Sequence, residues 1–379
     1  DMVNAQEYIQ LYNLARKNSG LAEVDFATKL PAKLYQSVTN GSWKGTNWVE
    51  EMYNKGAMSQ NHALNIAGGT AEHRFSMGLS YTAQDGILGY NKIEPMNAKY
   101  RRYTFRMNSD NVVIKRNNLD ILKVGETLNF SFGQNSGIAE GDIYDSSLHD
   151  AIGANPLLPV YETDANGNIL GFYDEAVRDR EGWTFFNDAK HPIGVDYYNR
   201  GRNLNKFYSL HASVYAELQP IKNLRFKSQF GYRLSGSSNR SYKMIYHLNT
   251  SQYNDNDVVS QSMRLGYRIT WENTASYHFS INSNHVFDTV LGQSIEKWGM
   301  GESMSATGWN SIFPNDFERA WLSNTKPALL SQISASGSPS TAGALASFFG
   351  RVNYSFRDTY LFSAPVRADG SSHCARGHH

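Results

Sequence analysis

A single cysteine, Cys374, occurs in 379 residues, so an internal disulfide is excluded and cysteine usage leaves the compartment open. Charge of either sign is nearly balanced, with 36 Lys and Arg against 35 Asp and Glu. A net charge of +1 gives no footing for nucleic acid as a partner. Long apolar runs are missing as well. Nothing approaches the roughly 18 residues that a membrane-crossing helix needs. Mean hydropathy is -0.51. That excludes transmembrane helices only, because a strand alternating apolar and polar residues averages out in any hydropathy window. There is no N-terminal apolar segment of the signal-peptide kind. The chain starts at Asp1 without an initiator Met, and so reads as mature or incomplete. Catalytic signatures are absent too: no GxSxG elbow, no P-loop, no GxGxxG after a strand and no HExxH. The sequence therefore reads as a non-enzyme that needs no cofactor.

Aromatic residues are plentiful, with 23 Tyr, 19 Phe and 7 Trp, as expected where rings sit at two lipid–water boundaries. Their arrangement has period two. Leu224, Phe226, Phe230, Tyr232 and Leu234 share one parity, while Arg225, Lys227, Gln229 and Arg233 share the other. Phe75, Met77, Leu79 and Tyr81 alternate with Arg74, Ser76, Gly78 and Ser80. Tyr103, Phe105 and Met107 alternate with Arg102, Thr104, Arg106 and Asn108. The same holds around Leu128, Phe130 and Phe132, from Tyr208 to Ala216, from Leu265 to Ala275, and around Val352, Tyr354 and Phe356. Period two marks strands with one apolar face.

Length decides which solvent that face meets. Soluble strands run about 5–6 residues, whereas crossing a bilayer as a tilted strand takes roughly 9–11. Alternation holds for about 11 residues or more over 206–218, 224–234 and 264–277. Connections also alternate in length. Short turns are expected near 68–71, 220–223, 282–284 and 357–358, with a somewhat longer one near 110–118. Long excursions are expected over 84–98, 135–202, 237–259 and 298–344. This is the asymmetry of outer-membrane barrels, and a sandwich has no reason to place every long loop at one end. About ten strands are expected, less than half the wall of a large barrel. Pro365 places the last strand, around 360–368, at an edge.

Other textures surround the strands. Asn4 with Glu7 reads as a capping box opening a helix over about 4–17, and a second short helix is expected near 46–53. In the 135–202 excursion, Asn166 and Gly167 suggest a tight turn between two short strands. Trp183, Phe185, Phe186, Tyr197 and Tyr198 in that loop are the candidate substrate-binding residues, since exposed rings grip sugars and peptides; packing within the loop is the commoner use. Asp142, Asp145, Asp150, Asp164 and Glu175 fit no EF-hand spacing and no acid/base pair, and read as turn-forming or solvated residues. His211 lies on a polar strand face, as a lumen-lining residue. His378 and His379 read as junction or tag residues, and no metal site is expected.

Specific strings then carry a resemblance. The run WVEEMYNKGAMSQNHALNIAGGTAEHRFSMGLSYTAQDGIL resembles the SusC/RagA-type TonB-dependent transporters of Bacteroidetes outer membranes. The carrying pieces are Trp48-Val49-Glu50-Glu51, Gly68-Gly69-Thr70 and Asp85-Gly86-Ile87. YRRYTFRMNSD, LKVGETLNFSF, ANPLLPVYETDANGN and FFGRVNYSFRDTYLFSAPVRADGSS are similar too, in family order. The resemblance implies an all-β transmembrane antiparallel β-barrel of about 22 strands, of which this chain supplies about ten, with short helices in extracellular loops. It implies import of an oligosaccharide or peptide, driven through TonB and a plug, with a SusD-like surface lipoprotein as lid. The plug and the rest of the barrel are not in this sequence. Residues 1–58 are expected to form an extracellular segment, 59–372 the partial barrel, and 373–379 a tail outside the family pattern. Two other readings compete: a passive outer-membrane porin, and a soluble β-rich surface glycan-binding protein.

Overall fold

The structure, a computed structural model, describes residues 2–94, 98–138, 146–185, 190–282 and 284–373. Four helices come first: α1 (Ala5–Asn18), α2 (Phe26–Lys29), α3 (Ala32–Thr39) and α4 (Trp48–Met52). Then follow β1 (Ser59–Gly69), β2 (His73–Asp85), β3 (Lys99–Arg116) and β4 (Leu119–Ser136). The long excursion carries α5 (Ser147–Gly153), β5 (Tyr161–Thr163), β6 (Ile169–Phe172), α6 (Glu175–Glu181), α7 (Pro192–Val195) and a π-helical turn, Asp196–Arg200. Next are β7 (Asn203–Ile221), β8 (Leu224–Lys243), the two-residue strands β9 (Tyr246–His247) and β10 (Tyr253–Asn254), β11 (Val258–Ile281) and β12 (His285–Trp309). The chain closes on β13 (Ile333–Pro339), β14 (Gly343–Phe356) and β15 (Tyr360–Ser371).

One antiparallel sheet of 11 strands dominates, in the order β1-β2-β3-β4-β7-β8-β11-β12-β14-β15, with β13 paired to β12. Neighbours in sequence are neighbours in space, so every hairpin contributes a local ladder. Each register brings like faces together. Val214 lies opposite Phe230, Phe230 opposite Trp271, and Trp271 opposite Ile295. Phe226, Phe230, Tyr267 and Trp271 are 45, 45, 39 and 47% exposed, so no other part of the chain encloses them. A contiguous apolar surface of this extent belongs against hydrocarbon rather than water.

Its height fits a bilayer. The twelve steps from Tyr267 to Phe279 on β11 cover about 40 Å of strand, or about 28 Å along the normal at a 45° tilt. Below them, Phe279 stacks on Phe287 at 4.9 Å and Phe287 meets Tyr354 at 4.9 Å, forming an aromatic girdle at the short-turn end. Among the described residues no helix is long and apolar enough to cross a membrane, so strands do the crossing.

Asparagines close the hairpins. Asn117 and Asn118 both have positive φ, 49° and 59°, the twist a two-residue primed turn demands and Asn tolerates. Asn223 and Asn282 each supply a left-handed position, at 66° and 51°, in two of the other short turns. The turn expected over 110–118 is therefore much shorter, because Asn111 to Arg116 continue the ladder against β4. Two long excursions also shrink. Strand β8 runs on to Lys243 and β12 to Trp309, and β13 is a strand inside the last loop. These extensions are rich in Ser, Asn and Gly, so periodicity does not reveal them. The alternation of short and long connections holds throughout, with every long one at the same end. Pro365 lies in edge strand β15, opposite Arg351.

A charge on the apolar face should be costly. Phe230→Arg is expected to destabilise the folded barrel by about 2–4 kcal/mol if Phe230 sits near the bilayer centre, whereas Gln229→Arg should change it by less than about 1 kcal/mol. Denaturant titration of the intact gene product folded into phospholipid vesicles measures both; equal costs would refute the assignment of faces.

Candidate functional site

The long-loop end has its own core. Helix α1 starts where predicted: Asn4 accepts from the Glu7 N–H at 3.0 Å, and the Glu7 carboxylate accepts from the Asn4 N–H at 2.9 Å. The first segment then plugs into the long excursion. Trp48, fully buried, donates its indole N–H to the Asn155 carbonyl at 2.9 Å, and Thr46 donates to the Leu158 carbonyl at 2.6 Å. Gly45 has a φ of +93°, and a Cβ there would lie 2.8 Å from the Pro156 carbonyl, so only glycine allows this approach. One cluster joins Ala5, Val38, Trp48 and Met52 to Leu157, Phe172, Val177 and Ile193. Residues 2–58 and the excursion therefore form one cap. The sequence did not reveal helices α2, α3, α5, α6 and α7, all of 8 residues or fewer, since so few turns carry little periodicity.

The aromatic candidates divide by burial. Trp183 and Phe185 are 2 and 5% exposed; the Trp183 indole N–H donates to the Phe185 carbonyl and the Phe185 ring meets Phe26 at 4.7 Å. Their surfaces are used in packing. Tyr197 and Tyr198 are half-buried, edge to face at 4.9 Å, with the Arg202 guanidinium 4.9 Å from the Tyr197 ring. Phe186 lies outside the described residues, as do Asp142 and Asp145.

The remaining acids hold structure. Asp164 accepts from the Asn166 and Asn168 N–H groups, both at 2.8 Å, closing the predicted turn between β5 and β6. Buried Asp150 receives Lys190 at 2.8 Å and Arg200 at 3.0 Å, and Arg200 also reaches Asp196 at 3.3 Å. Glu175 receives His247 at 2.6 Å. Among the described residues no group of three or more His, Cys, Asp or Glu is placed to hold a metal.

A second latch fixes the last loop. Arg240 lies between the rings of Phe317 and Trp321, at 4.3 and 4.2 Å, and donates to the carbonyls of Phe317 and Ala320 at 2.6 and 3.1 Å. Beside it, Tyr242 donates to buried Asp257 at 2.6 Å, and Asp257 accepts from the Ser311 N–H at 2.8 Å.

The polar face of the sheet is the other candidate surface. Arg106, Asn129, His211, Arg233 and Arg268 are successive register partners across five strands, all on the parity opposite the apolar face. His211 thus takes its expected place on that wall. The alternation exposed the parity of these residues, but only the register shows that they form one row.

No family model matches the chain. It is 23% identical over 353 residues to the TonB-dependent receptor SusC of Bacteroides thetaiotaomicron, covering 91% of this chain and 31% of that protein. It is 27% identical over 325 residues to the TonB-dependent receptor P26 of Formosa agariphila, covering 82% and 28%. The RagAB peptide importer in its closed-closed state shares the fold, with a TM-score of 0.72 at 17% identity over 96% of this chain and 39% of that one. The chain thus spans about a third of the length of the curated relatives it matches. Its two-faced sheet and one-sided loops have the fold of a stretch of an outer-membrane β-barrel, shared with the RagAB importer. Over most of its length the chain is similar to TonB-dependent receptors of the SusC kind, the resemblance its own strings suggested.

The cap contains a titratable wedge. His191 is fully buried between Trp48 and Phe172; its Nδ1 accepts from the Gly194 N–H at 3.0 Å, and its Nε2 faces the Val160 carbonyl at 2.9 Å. Only the neutral Nε2–H form serves both, and burial pushes the imidazole down to about 4 from 6.5. Between those values the unfolded loop binds a proton that the folded loop refuses, so cap stability falls as pH drops from about 6.5 toward 4. The protection factor of the Gly194 amide, its exchange rate relative to the intrinsic rate at the same pH, should fall as pH drops across that window. His191→Asn, which keeps an acceptor, should flatten the profile, and a flat wild-type profile would refute the assignment.

Proposed function

We propose that the chain forms barrel wall and loop cap of a TonB-dependent importer of nutrient oligomers, either oligosaccharide or peptide, working with a SusD-like surface lipoprotein. The observation that carries the reading is the single sheet with one lipid-facing and one polar face, its long loops gathered at one end. Likeness to TonB-dependent receptors over most of the chain supports it. The polar parity lines a wet lumen, and the loops over 137–202 and 310–342 build the chamber that receives the oligomer. Of the candidate rings, half-buried Tyr197 and Tyr198 are the ones this reading assigns to contact with it. No substrate bond is made or broken; the work is capture followed by energised passage.

A porin would admit solute down its gradient without energy, whereas this reading requires coupling. Uptake of the native oligomer by cells carrying the intact gene should vanish when TonB is deleted and fall when the lipoprotein is deleted. Uptake unaffected by loss of TonB, together with swelling of liposomes that contain the purified protein, would overturn the reading in favour of a porin.

A further inference from the structure

Along the polar wall stand several arginines that meet no acid among the described residues. Arg233 and Arg268 stand directly opposite one another, with His211 as the next partner of Arg233 and Asn129 and Arg106 beyond. Four residues toward the loops, Arg102 and Arg264 occupy a second charged row with Gly133, Phe207 and Ser237 between them. Like charges opposed across a ladder destabilise it, so such a row needs a compensating partner. Glu296 supplies one for Arg268, at 3.1 Å. Arg102, Arg106, Arg233 and Arg264 make no ion pair among the described residues.

The spacing has a shape. Arg106 and Arg268 lie four strand spacings apart, about 19 Å, while Arg102 and Arg106 are about 13 Å apart along β3. Between and above them the wall is built of small hydroxyl and amide residues. Ser131 and Ser209 bond at 2.9 Å, Ser260 and Thr307 at 3.1 Å, and Ser305 and Ser336 at 2.9 Å. Ser262 sits beside Ser305 and Asn239 in the same register. Arginine forks take carboxylates bidentately, and hydroxyls both donate to and accept from other hydroxyls. Apolar anchors of the kind that seat peptide side chains are few here, chiefly Phe207 and the Tyr100 ring stacked on it at 6.1 Å.

We propose that this wall selects an acidic oligosaccharide, a hydroxyl-rich chain bearing carboxylates, held between Arg102 and Arg106 on one side and Arg233 and Arg264 on the other. The inference rests on the importer reading and adds the substrate class. Charge complementarity carries it: four guanidiniums lack an anion, and their surroundings offer hydroxyl partners.

The test uses the intact gene product in detergent and three probes: an oligogalacturonate, a neutral malto-oligosaccharide of equal length, and an oligoglutamate. Oligogalacturonate should bind at least tenfold more tightly than the other two, more weakly as salt rises. Replacing Arg106, Arg233 and Arg264 together by Gln should lower that affinity at least tenfold and flatten the salt dependence. Thermal unfolding of the same variant separates a folding defect from a binding defect. If it loses affinity by unfolding, single Arg→Lys variants, which keep the charge but not the fork, should each weaken binding with an unchanged midpoint.

Equal binding of the neutral sugar, or preference for oligoglutamate, overturns the proposal. So does a variant that shifts stability but not affinity, since the arginines would then face another part of the receptor. TonB-dependent uptake of a neutral oligomer, unaltered in the arginine variant, sinks this inference and leaves the importer reading intact. Uronate binding with TonB-independent flux does the reverse.

Discussion

Every backbone N–H and C=O in the hydrocarbon layer must find a partner within the protein, because lipid offers none. That constraint organises this chain. It admits only strands laid edge to edge in continuous ladders, and β11 shows the result, paired over nearly its whole length with β8 on one side and β12 on the other. Once the ladder is fixed, side chains have no freedom of side. Parity alone sends Phe230 and Trp271 to lipid and Gln229 and Glu272 to water, and a slip of one residue would invert every strand at once. The Asn-closed turns hold that register at one end, and the girdle of Phe279, Phe287 and Tyr354 marks where lipid gives way to water.

The same strands change solvent along their length. In the bilayer their apolar face needs no protein cover, which is why so few strand residues are buried there. Above it the strands stand in water, and apolar side chains must find each other. The cap solves this with a second core built from sequence-distant pieces. Trp48 reaches Asn155, Arg240 stacks between Phe317 and Trp321, and Arg202 grips Glu94 through two bonds of 3.1 and 2.6 Å. Each bond ties one long loop to another or to a strand end. Loops held this way act as a rigid rim around the lumen mouth.

The sequence revealed the membrane strands well and the cap poorly, for one physical reason. A strand between lipid and water writes its environment into alternate residues, so Phe75 to Tyr81 or Leu224 to Leu234 can be read directly. A cap residue is placed by contacts far away in the chain. Nothing near Trp183 or Phe185 distinguishes a ring that grips substrate from one that packs on Phe26, and the structure shows the packing. Helix α1 was legible because its capping box is local, whereas α5, whose buried Asp150 is held by Lys190 and Arg200 far along the chain, was not. The extensions of β8 and β12 were hidden because Ser, Asn and Gly occupy both faces once neither meets lipid.

On the proposed function, recognition is divided between two kinds of surface. Rings in the cap are largely consumed in holding it together, and those left half-buried sit on loops whose geometry depends on the cap's core. Arginines on the wall stand on the most constrained backbone in the molecule, with spacing set by strand separation and rise rather than by loop packing. A rim of loop aromatics suits capture of a chain end, while a fixed lattice of charge suits discrimination along its length. Opposing Arg233 to Arg268 is unfavourable for the empty ladder, and such a placement makes physical sense where an anion or an acid such as Glu296 relieves it.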